Sequence, residues 1–161
     1  MVKRFVLMFF LGIFILTGCE TQKEIKAKTV FENNFTLEYN TLQIKGVLKT
    51  TADGEIKVNV KKPDNLNGLE IKTKDDKITA SFKGIKTTLD ENKIPNTAFF
   101  TLIKRVFSNI IRSNSLEYKQ AENGYKSVQK TDFGDVEIYL TEDCTVKKIG
   151  IKNQGFLLTF N

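Results

Sequence analysis

The chain of 161 residues contains no histidine and no tryptophan, and only two cysteines, two prolines and two methionines. Without histidine the commonest general base and metal ligand is gone. Ser-His and Cys-His nucleophile pairs are excluded with it. Two cysteines, Cys19 and Cys144, cannot build a disulfide framework. No glycine-rich phosphate loop of the P-loop or dinucleotide type is present. Asp132-Phe133-Gly134 spells a kinase tripeptide, but it lacks the accompanying catalytic and glycine-rich loops, so a turn is expected there. The acidic residues Asp75, Asp76, Glu91, Glu142 and Asp143 fall at expected turns and match no calcium-loop spacing. These absences point away from an enzyme, a cofactor and a metal site. An enzyme would need acidic groups drawn together by the fold from distant turns.

What is present begins with the one long apolar run. Lys3 and Arg4 precede Phe5–Leu16, which is interrupted only by Gly12, and polar Glu20-Thr21-Gln22-Lys23 follows at once. A basic start, about a dozen apolar residues and small residues at the end describe a secretory signal. A spanning helix needs about 20 apolar residues. Leu16-Thr17-Gly18-Cys19 resembles the lipobox of bacterial lipoproteins. That resemblance implies cleavage between Gly18 and Cys19 and a diacylglycerol thioether (a palmitate-type acyl anchor) on Cys19. The chain is then expected on the extracytoplasmic face of the cell membrane, in the cell envelope of a bacterium. Residues 1–18 are the signal peptide, and 19–30, polar and rich in lysine, are the lipid-anchored tether. A short helix over Lys23–Phe31 is the alternative for that stretch. Losing residues 1–18 takes Lys+Arg from 25 to 23 against 19 Asp+Glu, which leaves +4. The lysines alternate along strands instead of clustering, which protects sheet edges and gives no nucleic-acid footprint. With Cys19 carrying lipid, Cys144 stands alone. Its acidic neighbours Glu142 and Asp143 suit a packed or turn cysteine better than a reactive one.

From Phe35 onward the pattern has a period of two. Leu42, Ile44, Gly46 and Leu48 alternate with polar residues, as do Ile56, Val58 and Val60, and Asp53-Gly54 between them signals a hairpin. Pro63-Asp64-Asn65, Asn67-Gly68, Asp75-Asp76 and Lys83-Gly84 punctuate three further strands. The period changes once, after Pro95-Asn96-Thr97, where Asn96 or Thr97 is the expected N-cap. A helix over 97–112 then places Phe99, Phe100, Leu102, Ile103, Val106, Phe107, Ile110 and Ile111 on one half. Thr101, Lys104, Arg105, Ser108 and Asn109 fall on the other. Alternation resumes through Leu116–Lys119, Tyr125–Lys130, Val136–Leu140, Thr145–Lys152 and Phe156–Phe160.

The expected fold is mainly β (α+β): a curved antiparallel sheet, or half-open barrel, of about 10–11 strands over residues 31–161, wrapped around one amphipathic helix. Tether, meander with a Lys-Pro-Asp-Asn-Leu-Asn-Gly-Leu break, Phe-Lys-Gly-Ile hairpin, helix and second meander follow one another. This order resembles the LolA/LolB/LppX-like lipoproteins and lipoprotein carriers. The resemblance implies a groove between sheet and helix that receives acyl chains. The carriers cover that groove with several helices, whereas this chain offers one. A noncatalytic, monomeric domain that binds a lipid or another apolar ligand is the expectation, with Phe99, Phe100, Ile103 and Phe107 as the candidate wall. The alternative is a filled-core cell-envelope accessory lipoprotein, acting through protein–protein contacts. An unfilled cavity beside the helix separates the first from the second.

Overall fold

The computed structural model describes residues 25–96, 98–112 and 116–161. The expected signal peptide, Gly18, Cys19 and Thr97 lie outside the described residues. Eleven strands form one antiparallel sheet: β1 (Phe31–Tyr39), β2 (Leu42–Thr50), β3 (Ile56–Lys62), β4 (Glu70–Lys74), β5 (Lys77–Phe82), β6 (Ile85–Asp90), β7 (Lys119–Ala121), β8 (Gly124–Thr131), β9 (Gly134–Leu140), β10 (Val146–Ile151) and β11 (Phe156–Phe160). The order across the sheet is β6-β5-β4-β3-β2-β1-β11-β10-β9-β8-β7. Two meanders are therefore joined where the first strand meets the last, with Phe35 opposite Phe160 and Leu37 opposite Leu158. The helix α1 (Phe99–Arg112) links the two outermost strands, β6 and β7. It must therefore cross the sheet, and the face it crosses is the apolar one.

Register explains why that face is continuous. The pairs Leu48–Val58, Val58–Ile71 and Ile71–Ala80 put one apolar set on one side from β2 to β5. Leu158–Ile149 and Ile149–Ile138 do the same from β11 to β9. The other side carries cross-strand charge pairs such as Lys57–Glu70 at 2.7 Å and Lys126–Glu137 at 3.3 Å. One buried and one wet face is the expected form of an antiparallel sheet. Among the described residues, the fully enclosed apolar ones run from Phe35 to Phe160. Because β1 pairs β11, the two meanders share one core.

Turn chemistry holds the register. Lys83 and Gly84 both have positive φ, 49° and 83°, so they close the two-residue β5–β6 hairpin in the form that matches strand twist. Gly124 adopts φ 130°, and a Cβ there would sit 2.0 Å from the Leu140 carbonyl oxygen. Only glycine fits where β8 leaves that turn.

The structure also departs from expectation at particular places. Residues 25–30 are extended, not helical, and Lys28 bridges to Thr145. Leu116–Tyr118 is not strand; β7 begins at Lys119. At the start of the helix the Ala98 carbonyl accepts from the Leu102 amide at 3.1 Å. The Asn96 side-chain oxygen accepts from Arg105 at 3.2 Å. Thr101, expected on the wet half of the helix, is completely enclosed.

Candidate functional site

The helix is seated in the sheet as the centre of the core. Phe100, Leu102, Ile103, Val106, Phe107 and Ile110 are buried, and Phe107 is 0% exposed. Its ring lies 5.7 Å from Phe31 and 6.2 Å from Phe160, with Phe31 and Phe160 themselves edge to face at 5.3 Å. Of the four expected wall residues, Phe100, Ile103 and Phe107 are buried. Phe99 is partly buried with its ring 6.4 Å from that of Phe100. All four pack as core, and the pockets described below are lined by other residues.

The sheet closes on the wet side of the helix from both wings. Lys104 reaches the Asp75 carbonyl at 2.7 Å and the Glu91 carboxylate. Arg105 lies 3.5 Å from Asp132 and 5.5 Å over the Phe133 ring. Lys104, Arg105, Ser108 and Asn109 are half-buried on this side, and Arg112 is exposed. An open, polar pocket of about 720 Å³ lies beside them, with Asp75, Asp76, Asp90 and Glu91 among its lining residues. Among the described residues no group of three or more histidine, cysteine, aspartate or glutamate side chains is placed to hold a metal ion. Beyond the helix the apolar face runs out to β6, where Ile85 is 73% exposed and Leu89 43%.

A smaller opening of mixed lining lies at the other end of the helix. A cleft of about 180 Å³ is lined by Ile25, Ala27, Ile110, Ile111 and Leu116, with Lys26, Thr29 and Tyr118. Three separate segments build it. The first, residues 25–29, is pinned by backbone and side-chain contacts. The Lys28 amide donates to the Cys144 carbonyl at 2.8 Å, and its ammonium pairs with Asp143 at 2.8 Å. The Thr50 hydroxyl donates to the Thr29 carbonyl, and the Phe31 amide donates to the Thr50 hydroxyl oxygen at 3.2 Å. Asp143 also accepts from the Thr141 and Thr145 hydroxyls. The Lys28 ammonium first, then these two hydroxyls, hold the Asp143 carboxyl far below the usual range.

Tyr118 stands on the third segment. Its hydroxyl is closed off from solvent and has no hydrogen-bond partner. Burial first, and the neighbouring Cys144 second, push its pKa up to about 12. Cys144 is a free, partly buried thiol in the turn before β10, at φ 64°. Sequence periodicity does not reveal this cleft, because Ile25 and Ala27 fall in an expected tether. The one sequence feature that could have indicated it is the apolar pair Ile25 and Ala27 within a lysine-rich stretch.

Among the described residues no helix is long and apolar enough to cross a membrane. No protein-family profile and no curated protein matches the chain. Among solved structures, the crystal structure of a LolA superfamily protein from Nitrosomonas europaea is similar to it at 9% identity and a TM-score of 0.38. The match covers 80% of this chain and 66% of that one.

Proposed function

We propose that this chain is a noncatalytic domain, anchored by lipid on Cys19 to the extracytoplasmic face of a bacterial cell membrane, that takes up an acyl chain or similar slender apolar group. The cleft of about 180 Å³ at the end of the helix carries this reading. Its volume is near the ~150 Å³ of dry apolar cavities that bind benzene, so it suits a segment of about six carbons. Burying six methylenes at about 0.8 kcal/mol each gives about 5 kcal/mol before association costs. A free chain would therefore bind weakly, and position matters. The six residue steps from Cys19 to Ile25 span at most about 20 Å. Tethering keeps the cleft close to the bilayer, where the local concentration of acyl chains is high.

The filled core favours a second reading, an envelope accessory protein that acts by its surface. Native mass spectrometry of residues 20–161, purified from cells without detergent, separates the two. A retained lipid mass that disappears in Ile111→Glu, with circular dichroism unchanged, supports the acyl-binding reading. A clean apo mass that persists after incubation with membrane lipids leaves the surface-acting reading.

A further inference from the structure

We propose that the outer face of the sheet docks a linear phosphodiester polymer without bases, laid across the strands on a row of lysines. The inference is independent of the acyl-binding reading and concerns the opposite face of the sheet.

Along each strand the lysines alternate with buried residues, but antiparallel pairing aligns them across the sheet. Lys119 stands opposite Lys126, Lys126 opposite Tyr139, and Tyr139 opposite Lys148. Lys148 faces Thr159, Thr159 faces Thr36, and Thr36 faces Lys45. The row runs unbroken from β7 to β2 and holds no carboxylate. At about 4.8 Å between strands it is roughly 29 Å long. Lys119 and Lys45 are exposed at its two ends. Lys126 and Lys148 lie 4.9 and 5.5 Å from the Tyr139 ring centre.

A second lysine row on the same face shows what the first one lacks. Lys49, Lys57 and Lys72 also stand opposite one another, and each is paired with Glu32 or Glu70 at 2.7–3.0 Å. In the first row Lys126 pairs with Glu137 at 3.3 Å, whereas among the described residues Lys45, Lys119 and Lys148 make no ion pair. Like charges directly opposite destabilise a sheet, and an anion between them relieves it. One row carries its own anions, and the other leaves that place to a partner.

Spacing selects the partner. The cations stand at roughly 0, 5, 14 and 29 Å along the row. One compact anion cannot meet them all, but a flexible chain with a charge on every unit can. The two wings of the sheet close on the helix, so the outer face is convex and a flat bilayer would touch only its crest. Lysine binds phosphate as a point charge, and the Thr159 and Thr36 hydroxyls between Lys148 and Lys45 add donors. The one aromatic ring of the row is flanked by two ammonium groups, so it offers no stacking platform for a base.

The test is fluorescence anisotropy of end-labelled oligomers with the full chain in neutral detergent. The main probe is a base-free deoxyribose-phosphate oligomer of about 12 units, which outreaches the row even at 3.4 Å per unit. Lys45→Gln combined with Lys119→Gln is expected to weaken it about tenfold near 0.1 M salt, and to flatten the slope of log affinity against log salt by about 1.4. Lys74→Gln combined with Lys86→Gln removes the same charge from exposed lysines off the row. That control is expected to stay within about twofold of wild type, because charges more than about 10 Å away are screened. Equal loss in the two double variants overturns the row in favour of net charge, and no binding by wild type overturns it outright. A thymidine oligomer of the same length that binds more than about tenfold tighter would make the partner a nucleic acid and overturn the proposal. A two-unit probe that matches the long one and is indifferent to Lys45→Gln would show a compact anion site and overturn it as well.

Discussion

Replacing Thr101 with valine should stabilise the protein. Thr101 lies on the half of α1 that carries Lys104 and Arg105, yet it is 0% exposed and its hydroxyl has no partner. A buried hydroxyl without a partner forfeits about 1–3 kcal/mol of solvation. Valine keeps the branched shape and replaces the hydroxyl with a methyl group. Threonine and valine have similar helix propensity, so the backbone contributes little to the difference. A gain of about 1–2 kcal/mol follows, which at this chain length raises Tm by about 2–8 °C. Urea unfolding of residues 20–161, followed by circular dichroism at 222 nm, reads it as a higher midpoint at constant slope. A loss of stability at unchanged slope would refute the reasoning. It would mean that the hydroxyl is satisfied, by water or by backbone, and that the site is wet.

Phe107→Ala removes the ring between Phe31 and Phe160. It is expected to cost about 3–5 kcal/mol, a large part of the ~5–15 kcal/mol of a typical domain; a midpoint within experimental error of wild type would contradict the seated helix. Asp143→Asn should release residues 25–29 without unfolding the sheet, read as faster hydrogen exchange at the Lys28 amide. The pH dependence has a definite sign. Asp143, Glu70 and Glu137 all have folded pKa values below their ordinary ones, through their lysine and hydroxyl partners. Their contribution is present above the unfolded carboxylate range and is lost as pH falls through the folded values. Exchange at Lys28 is therefore expected to stay slow at pH 5 and to quicken only well below pH 4. Quickening already between pH 7 and 5 would assign the docking to another group.

The sheet was legible because alternation and turn chemistry agree along nearly the whole chain. Asp53-Gly54, Lys83-Gly84 and Asn123-Gly124 fall between strands that pair as neighbours. One amphipathic run could only be the single helix between two meanders. The closure of β1 on β11 was less accessible, since it joins residues at opposite ends of the chain. The cleft was harder still. It depends on residues 25–29 docking through Lys28 and Asp143, which are 115 positions apart, and a period of two or of 3.6 carries no trace of that contact. Thr101 was misplaced for a related reason: a helical wheel assumes one wet half, and here Lys104 and Arg105 tie both wings of the sheet across it. Phe99, Phe100, Ile103 and Phe107 were correctly seen as one apolar face, but an apolar face specifies burial, not what it is buried against.

Where an acyl chain sits is the claim on which the account turns. Isotope-filtered NMR on residues 20–161 with saturating octanoate would locate it directly, through contacts between ligand methylenes and protein methyl groups. The account predicts contacts to Ile25, Ile110, Ile111 and Leu116. Contacts confined to Leu102, Ile103 and Val106 would place the ligand deep between helix and sheet, and would contradict the cleft as its site.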